Sequence, residues 1–573
     1  MNRQFVNRHT IGEDLTAGLV LGIQSIPDGL ANGLLALINP IYGLYGYMMG
    51  TFTGAFFTSS AFMTIQATSA MALVVASVPQ ITRGPDPNAP LFTLAILTGL
   101  FMLAAGLLKL GSLVRFVPNA VMTGFVNAVA VLIILGQLDD FTGFSTTGAN
   151  RIVRTFDLLQ NLGQVHLPTL MIGVLTIILI LTLEKTSLKS LGIVVAMVVA
   201  SLAVPLLGAN DVALVRDVAY IPDSLPRPML PSLAAVPGLI IPALALTFVG
   251  LMQGAGISQS IPNPDGTYPD ASGDFVGQGV ANIASGLFQG TVVAGSLSAT
   301  ALVVSAGARS RFANIFAGLV MAVTIMFFAR FVGAIAMPSL AGLLIVVGFR
   351  TLKPDRIAMV WRTGVVQQAV MALTFLAALF IPLQYAVLLG VALAVVLYVF
   401  QQSNKITVKA WEIGPGQYPV EKVPPVVVPG GQVTILMPYG SLFYAAAPVF
   451  SAQLPEVTET SRHAVVILTL RGQKDVGSTF LNVLTRYAEQ LRGQGSKLML
   501  AGVEPYVLTQ MERTGIVQTI GRTNIFPASE GVGEALLQAV EAAEQWIASS
   551  PGEGVDLPQR RSRIESDAME DEE

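Results

Sequence analysis

The 573-residue chain is 53% hydrophobic and only 12% charged, against about 25% charged residues in an ordinary soluble domain. Its net charge of −3 gives no basis for a nucleic-acid partner. With no cysteine and three scattered histidines (His9, His166, His463), it has no disulfide framework and no metal-ligand pattern, so no cofactor is expected.

So much apolar surface requires the lipid bilayer as solvent for most of the chain. The polar start MNRQFVNRHTIGEDLT, followed by a long apolar run, does not read as a cleavable leader. Residues 15–403 then form a series of apolar stretches broken at Gly, Pro and charge. The ~20-residue rule divides them into about fourteen spans. The limits are 12–36, 41–58, 66–78, 91–110, 117–137, 168–184, 189–207, 236–257, 275–289, 296–307, 312–334, 337–349, 365–381 and 383–402. An even number of spans puts both ends on one side. The short loops on that side carry the excess of cations, including Lys109, Arg115, Lys185, Lys189, Arg309, Arg311, Arg350 and Lys353, which makes both termini cytoplasmic. The expected location is a bacterial inner (plasma) membrane. Residues 404–431, polar and proline-rich, read as a linker.

Two of the spans, the third and the tenth, are too short to cross as continuous helices. They share a sequence: Ser69 to Val75 (SAMALVV) recurs 229 residues later as Ser298 to Val304 (SATALVV). The same offset carries Gln24 onto Gln253, two lone amides in apolar surroundings. Seven spans separate the copies, and an odd number reverses direction through the membrane, which is the signature of an inverted repeat. A helix starting in mid-membrane leaves N–H groups that lipid cannot satisfy, with a partial positive charge behind them. Two such ends make an anion site without a buried cation. The small and hydroxyl residues at these starts (Gln66, Ala67 and Thr68; Ser296, Leu297 and Ser298) let a ligand reach the backbone, and they also suit tight helix packing. The expected substrate contacts are these residues together with Gln24, Gln253 and Ala299.

Several stretches are similar to the sulfate permease family, the group that includes prestin. They are Asp14 to Leu19 (DLTAGL), Ile26 to Ala31 (IPDGLA), Tyr42 to Tyr45 (YGLY), Asp274 to Asn282 (DFVGQGVAN), Gly295 to Ser298 (GSLS) and Gly307 to Ser310 (GARS). The resemblance implies a uracil-permease-like fold of seven plus seven inverted segments. It also implies a core domain (spans 1–4 and 8–11), a gate domain (spans 5–7 and 12–14), elevator motion and a homodimer. Two positions depart from the family pattern. The family arginine that faces the anion in the tenth span is replaced by Ala299, and the acidic residue of the eighth by Gln253. Losing both is consistent, because an unpaired charge in mid-membrane costs roughly 2.5–3.5 kcal/mol or more. Asp28 lies on one helical stripe with Gln24 and Asn32, at i, i+4 and i+8. It is a candidate for a coupling proton or cation; alternatively it sits in water and stabilises a break at Pro27 to Gly29. Asp274 is expected to cap the ninth span.

Residues 432–548 alternate between strand and helix patterns and resemble the STAS domain, a small α/β sheet with helices expected on one face. Relatives of this domain are phosphorylated on a loop matched here by Ser478 and Thr479, although the sequence favours a structural helix N-cap there. Residues 549–573 read as a disordered acidic tail. No nucleophile–base pair suggests an enzyme. The expected function is a secondary transporter or exchanger of small inorganic anions: sulfate by family default, bicarbonate or chloride in keeping with Ala299. The alternatives are an anion channel of the same fold, a dicarboxylate transporter, and a transporter of neutral nucleobases, which the STAS-like segment argues against.

Overall fold

The computed structural model describes residues 10–549 except 85, 112–117, 149, 187, 189–190, 210, 219–221, 223 and 415–417. Arg115, Lys189 and the acidic tail from residue 550 onward therefore lie outside the described residues. The chain divides into two compact units, Met1–Ala394 and Val395–Glu573.

The first unit is built on apolar helices: α1 (Ile11–Leu35), α2 (Pro40–Phe57), α3 (Ser69–Ala76), α4 (Asn88–Leu107), α5 (Asn119–Gly136), α6 (Leu167–Leu183) and α7 (Leu191–Leu206). They continue as α8 (Val236–Ser260), α9 (Ala271–Leu287), α10 (Leu297–Ser305), α11 (Phe312–Gly333), α12 (Met337–Thr351), α13 (Val365–Phe380) and α14 (Leu383–Ser403), which runs into the second unit. The helices containing Asn88–Leu107, Asn119–Thr142, Leu233–Ser260, Phe312–Gly333 and Tyr385–Ser403 are long and apolar enough to cross a membrane. By contrast α3 has 8 residues and α10 has 9. Each follows a two-residue strand, β1 (Ile65–Gln66) or β2 (Ala294–Gly295), and the two strands pair antiparallel.

Helix ends in this unit are tied down by long-range side-chain bonds. Asn39 accepts from the Ile41 N–H, with Pro40 at the first position of α2. The other end of α2 is held by buried Arg311, whose guanidinium donates to the carbonyls of Thr58 (2.6 Å), Ser59 (2.9 Å) and Ala55 (3.2 Å). A cation there satisfies carbonyls that lipid could not and complements the negative end of the helix. Asp274 is not the cap of α9. That role falls to Asp270, which accepts from Ser272 and Gly273, and α9 consequently starts at Ala271. Asp274 is instead buried one turn in, accepting from the Ser60 N–H (2.8 Å) and from the hydroxyls of Ser59 (2.9 Å) and Ser258 (2.6 Å). Asp14 plays the matching part for α1, accepting from the N–H groups of Arg309 and Ser310 at 2.7 and 2.9 Å.

The second unit contains a six-stranded sheet: β3 (Thr407–Glu412), β4 (Val420–Lys422), β5 (Val433–Tyr439), β6 (Val465–Thr469), β7 (Lys497–Val503) and β8 (Ile525–Pro527), in the order β4-β3-β5-β6-β7-β8. β5 to β8 are parallel, and β3 is antiparallel to both its neighbours. The stretch 404–431, expected as a linker, thus contributes two strands; the alternation Val408, Ala410 on β3 buries one side against the sheet. The expectation of helices on one face is corrected. α15 (Ser478–Gly493) and α16 (Pro505–Arg513) cover one face, while α17 (Glu534–Ser549) packs Leu536, Ala539 and Ala543 on the other, against Ile435, Ile467 and Met499. A sheet covered on both sides explains why its strands read as continuous apolar runs. Ser478 and Thr479 are exposed at the start of α15; the N-cap position is Gly477, so neither supplies the side-chain cap expected there.

Candidate functional site

The paired strands β1 and β2 lie where the two short helices begin. Ile65 pairs with Gly295 and Gln66 with Ala294. At the 229-residue offset, Ala294 is the counterpart of Ile65 and Gly295 that of Gln66, so each residue pairs with its neighbour's counterpart. The two chain segments cross in opposite directions, and each then enters a helix. Thr68 caps α3 by accepting from Met71 N–H, and Ser296 caps α10 by accepting from Ala299 N–H, both at 3.4 Å. The loops are further joined by Ser296 N–H to Thr64 O (2.9 Å) and Thr64 N–H to the Thr300 hydroxyl (3.0 Å).

α1 and α8, the helices that carry the two lone glutamines, each touch both short helices. Gln253 of α8 accepts from the Thr68 hydroxyl at 3.1 Å. The amide oxygen of Gln24 on α1 is buried and has no partner among the described residues. Gln66 is 2% exposed, and its amide donates to Ser25 (2.7 Å) and Thr51 (3.2 Å), so it ties β1 to α1 and α2. Ala67 is buried. Ser298 and Leu297 are exposed, Ser296 is half-buried, and the hydroxyls of Ser296 and Ser298 lie 3.2 Å apart. Ala299, in the first turn of α10, is buried and brings no charge.

Asp28 is half-buried on α1, and its carboxylate makes no hydrogen bond or ion pair among the described residues. One turn on, Asn32 donates to the Tyr47 hydroxyl at 2.8 Å and accepts from Ser69, the first residue of α3, at 3.0 Å. The stripe Gln24, Asp28, Asn32 therefore ends on the short helix itself.

Other residues that build the crossing were not singled out from the sequence. On α9, Gln278 accepts from Gly295 N–H at 3.0 Å. Asn282 exchanges two bonds with Val293, donating to its carbonyl (2.6 Å) and accepting from its N–H (2.9 Å). Asn314 of α11 accepts from Thr64 and donates to the carbonyls of Phe62 and Met63. The available signal was the i, i+4 pair of amides, Gln278 and Asn282, in a helix that beyond its first turn is otherwise built of small and apolar residues.

The arrangement has donors and two partly positive helix ends, and Asp28 is the one ionisable group among the candidate residues. It suits a small anion held by backbone, hydroxyl and amide groups. The sulfate permease family model matches residues 11–374, and the STAS domain model residues 424–532. The chain belongs to the sulfate permease family. Within the family it is similar to a putative sulfate transporter of Bacillus subtilis (24% identity, covering 91% of this chain and 97% of the relative). It is also similar to the bicarbonate transporter BicA of Synechocystis (23% identity, 96% and 97% covered). Its fold is that of the murine Solute Carrier 26 family member A9 anion transporter in the inward-facing state, with a TM-score of 0.82 at 18% identity, covering 95% of this chain and 93% of that one. The transmembrane domain of BicA aligns with a TM-score of 0.57 at 23% identity, over 68% of this chain and 98% of that one. This permease is thus a helical membrane protein of an anion-transporter family with a C-terminal STAS domain.

Proposed function

We propose that this permease is a secondary transporter or exchanger of small inorganic anions, with the anion bound between the amino-terminal ends of α3 and α10. The observation that carries the reading is the crossing of β1 and β2, from which two capped short helices start. Gln24, Ala67, Thr68, Gln253, Ser296, Leu297, Ser298 and Ala299 lie around it, and Gln66 acts chiefly as a tie. The fourteen helices α1 to α14 are read as seven plus seven inverted segments in an inner membrane, with both termini cytoplasmic and the protein a homodimer.

Elevator motion needs two bodies that are rigid within and loose between, and glycine packing supports that division. A Cβ on Gly99 of α4 would lie 2.6 Å from the Gly279 carbonyl of α9, and one on Gly318 of α11 2.7 Å from Phe52 Cβ of α2. Gly43 of α2 abuts the Gly29 carbonyl of α1. Likewise Gly124 of α5 abuts the Met371 carbonyl of α13, and Gly342 of α12 sits against Gly173 of α6. Such contacts fall within α1–α4 with α8–α11, or within α5–α7 with α12–α14. Among the described glycines of these helices, none has its nearest contacts across the two groups. The first group is the core that carries the site, and the second is the gate.

Sulfate is the default substrate, given the family and its relatives. The uncharged first turn of α10 favours singly charged anions such as bicarbonate or chloride, because a dianion loses most when the facing cation is missing. Asp28 is the candidate carrier of a coupling proton or cation. Radiotracer uptake into proteoliposomes, with sulfate, bicarbonate and fumarate competing, tests the reading. Tight, active sulfate uptake would overturn the role given to Ala299, and unitary currents would overturn transport in favour of a channel.

A further inference from the structure

Away from the crossing, a hollow of about 570 Å³ opens between three helices. Its walls include Ile23 and Pro27 of α1, Phe316 and Phe331 of α11, and Val194 and Val198 of α7. The size falls within the ~300–1,000 Å³ range of small-molecule sites, but the lining is apolar throughout except for Thr324, whose hydroxyl is already bonded to the Val320 carbonyl at 2.9 Å. Water needs two to four polar partners to settle in a cavity, and the Thr324 oxygen is the one offered among the lining residues. A polar ligand would lose its hydrogen bonds there as well. The rim is continuous with the lipid-facing surface, since Leu19, Val198, Phe328 and Phe331 are all strongly exposed.

The walls are unequal. α1 and α11 are locked together: a Cβ on Gly18 would lie 2.5 Å from the Ala313 carbonyl, and one on Gly22 2.7 Å from Val320. α7 is locked to α6 instead, with Gly192 against Leu183. The hollow is therefore the seam between two tightly packed pairs. Ile23, Ile26 and Pro27 line it, whereas their neighbours Gln24 and Asp28 lie on the stripe that ends at α3.

We propose that one acyl chain of a membrane phospholipid occupies this hollow and acts as a wedge between α1–α11 and α7. The chemistry of the lining admits an alkyl chain and nothing polar, and the open rim faces the phase that supplies one. Any occupant bears directly on the helix that carries Gln24 and Asp28, so its shape sets how readily α1 passes α7. The effect on transport rests on the elevator reading; occupancy does not.

The test uses the full chain in nanodiscs containing a phosphatidylglycerol with a diazirine in its acyl chain, with photolabelled peptides mapped by mass spectrometry. Labelling of the α7 and α11 peptides should exceed that of lipid-exposed Leu373 and Leu376 on α13 several-fold. Val198→Trp, which fills the hollow from the α7 side, should lower labelling of α1 and α11 at least about fivefold and leave α13 unchanged. Val194→Phe serves the same purpose if the tryptophan variant does not fold. Even labelling of α7, α11 and α13, labelling that persists in both variants, or a cross-link to a second copy through the hollow would overturn occupancy. In proteoliposomes the filled variants should change the maximal uptake rate at least about threefold at unchanged half-saturation. Lost labelling with an unaltered rate would overturn the wedge, while the absence of any uptake by the unaltered protein would count against the transport reading alone.

Discussion

Replacing Gly99 by alanine tests how closely α4 and α9 pack beside the proposed site. The added methyl would lie 2.6 Å from the Gly279 carbonyl oxygen, 2.7 Å from the Ile283 nitrogen and 2.9 Å from Asn282 Cβ. Two of the three are backbone atoms of α9, so no side chain can turn aside, and α4 and α9 must part. Overpacking of this kind costs typically about 1–3 kcal/mol. At ~2–4 °C per kcal/mol, the melting temperature should fall by roughly 2–12 °C. The disturbance should also reach the proposed site, because the displaced turn carries Asn282, which exchanges two bonds with Val293 beside β2. Gly256→Ala is the control: it is also helical, but a Cβ there meets nothing within 4 Å, so helix propensity should make it neutral or stabilising by up to about 1 kcal/mol. Melting would be followed by far-UV circular dichroism in detergent, which reads the helices themselves, and uptake in proteoliposomes. A Gly99→Ala protein that melts with the parent and transports normally would refute both the packing and its coupling to the site.

Three further outcomes are expected. Ala299→Arg places a cation in the first turn of α10 and should lower the sulfate concentration that halves chloride uptake by at least about tenfold, equivalent to ~1.4 kcal/mol; an unchanged competition curve would count against this site. Asp28→Asn should remove the pH or sodium dependence of uptake; a variant that keeps the same dependence would dismiss Asp28 as the coupling group. In the STAS unit, burial pushes the Tyr487 hydroxyl well above its ordinary range while it donates to the Pro455 carbonyl at 3.0 Å. A raised folded-state value means that its contribution is complete below the unfolded pKa of about 10 and is lost as pH rises above it. Tyr487→Phe should therefore flatten the alkaline decline in stability measured by urea unfolding above pH 10, and an identical decline in both proteins would refute this.

The helices were legible because each apolar run is bounded by Gly, Pro or charge, and the short pair because SAMALVV and SATALVV share one offset. Tertiary ties were far less so. Nothing local says that Asp274 bonds to Ser60, 214 residues away, or that Asp14 reaches Ser310. Asp270 and Asp274 stand four apart, and either would satisfy a first-turn preference; burial and the position of Ser59 decide between them. Arg311 counted toward orientation as a surface cation, yet it is 6% exposed and serves the end of α2. Sequence periodicity reports which face of a helix is apolar, but not which carbonyl a buried side chain meets.

The crossing is symmetric in backbone and unequal in side chains. On the α3 half, Gln66 and Ala67 are each 2% exposed, and the Gln66 amide and Thr68 hydroxyl are bonded to Ser25, Thr51 and Gln253, so its side-chain donors are already used within the protein. On the α10 half, Leu297 and Ser298 are exposed and the first turn carries no charged side chain. On the proposed reading, an anion arriving in this conformation would meet α10 first, while α3 with its amide and hydroxyl ties would form the fixed wall. In the proposed site, that inequality would let one residue, Ala299, set the charge preference although both short helices contribute.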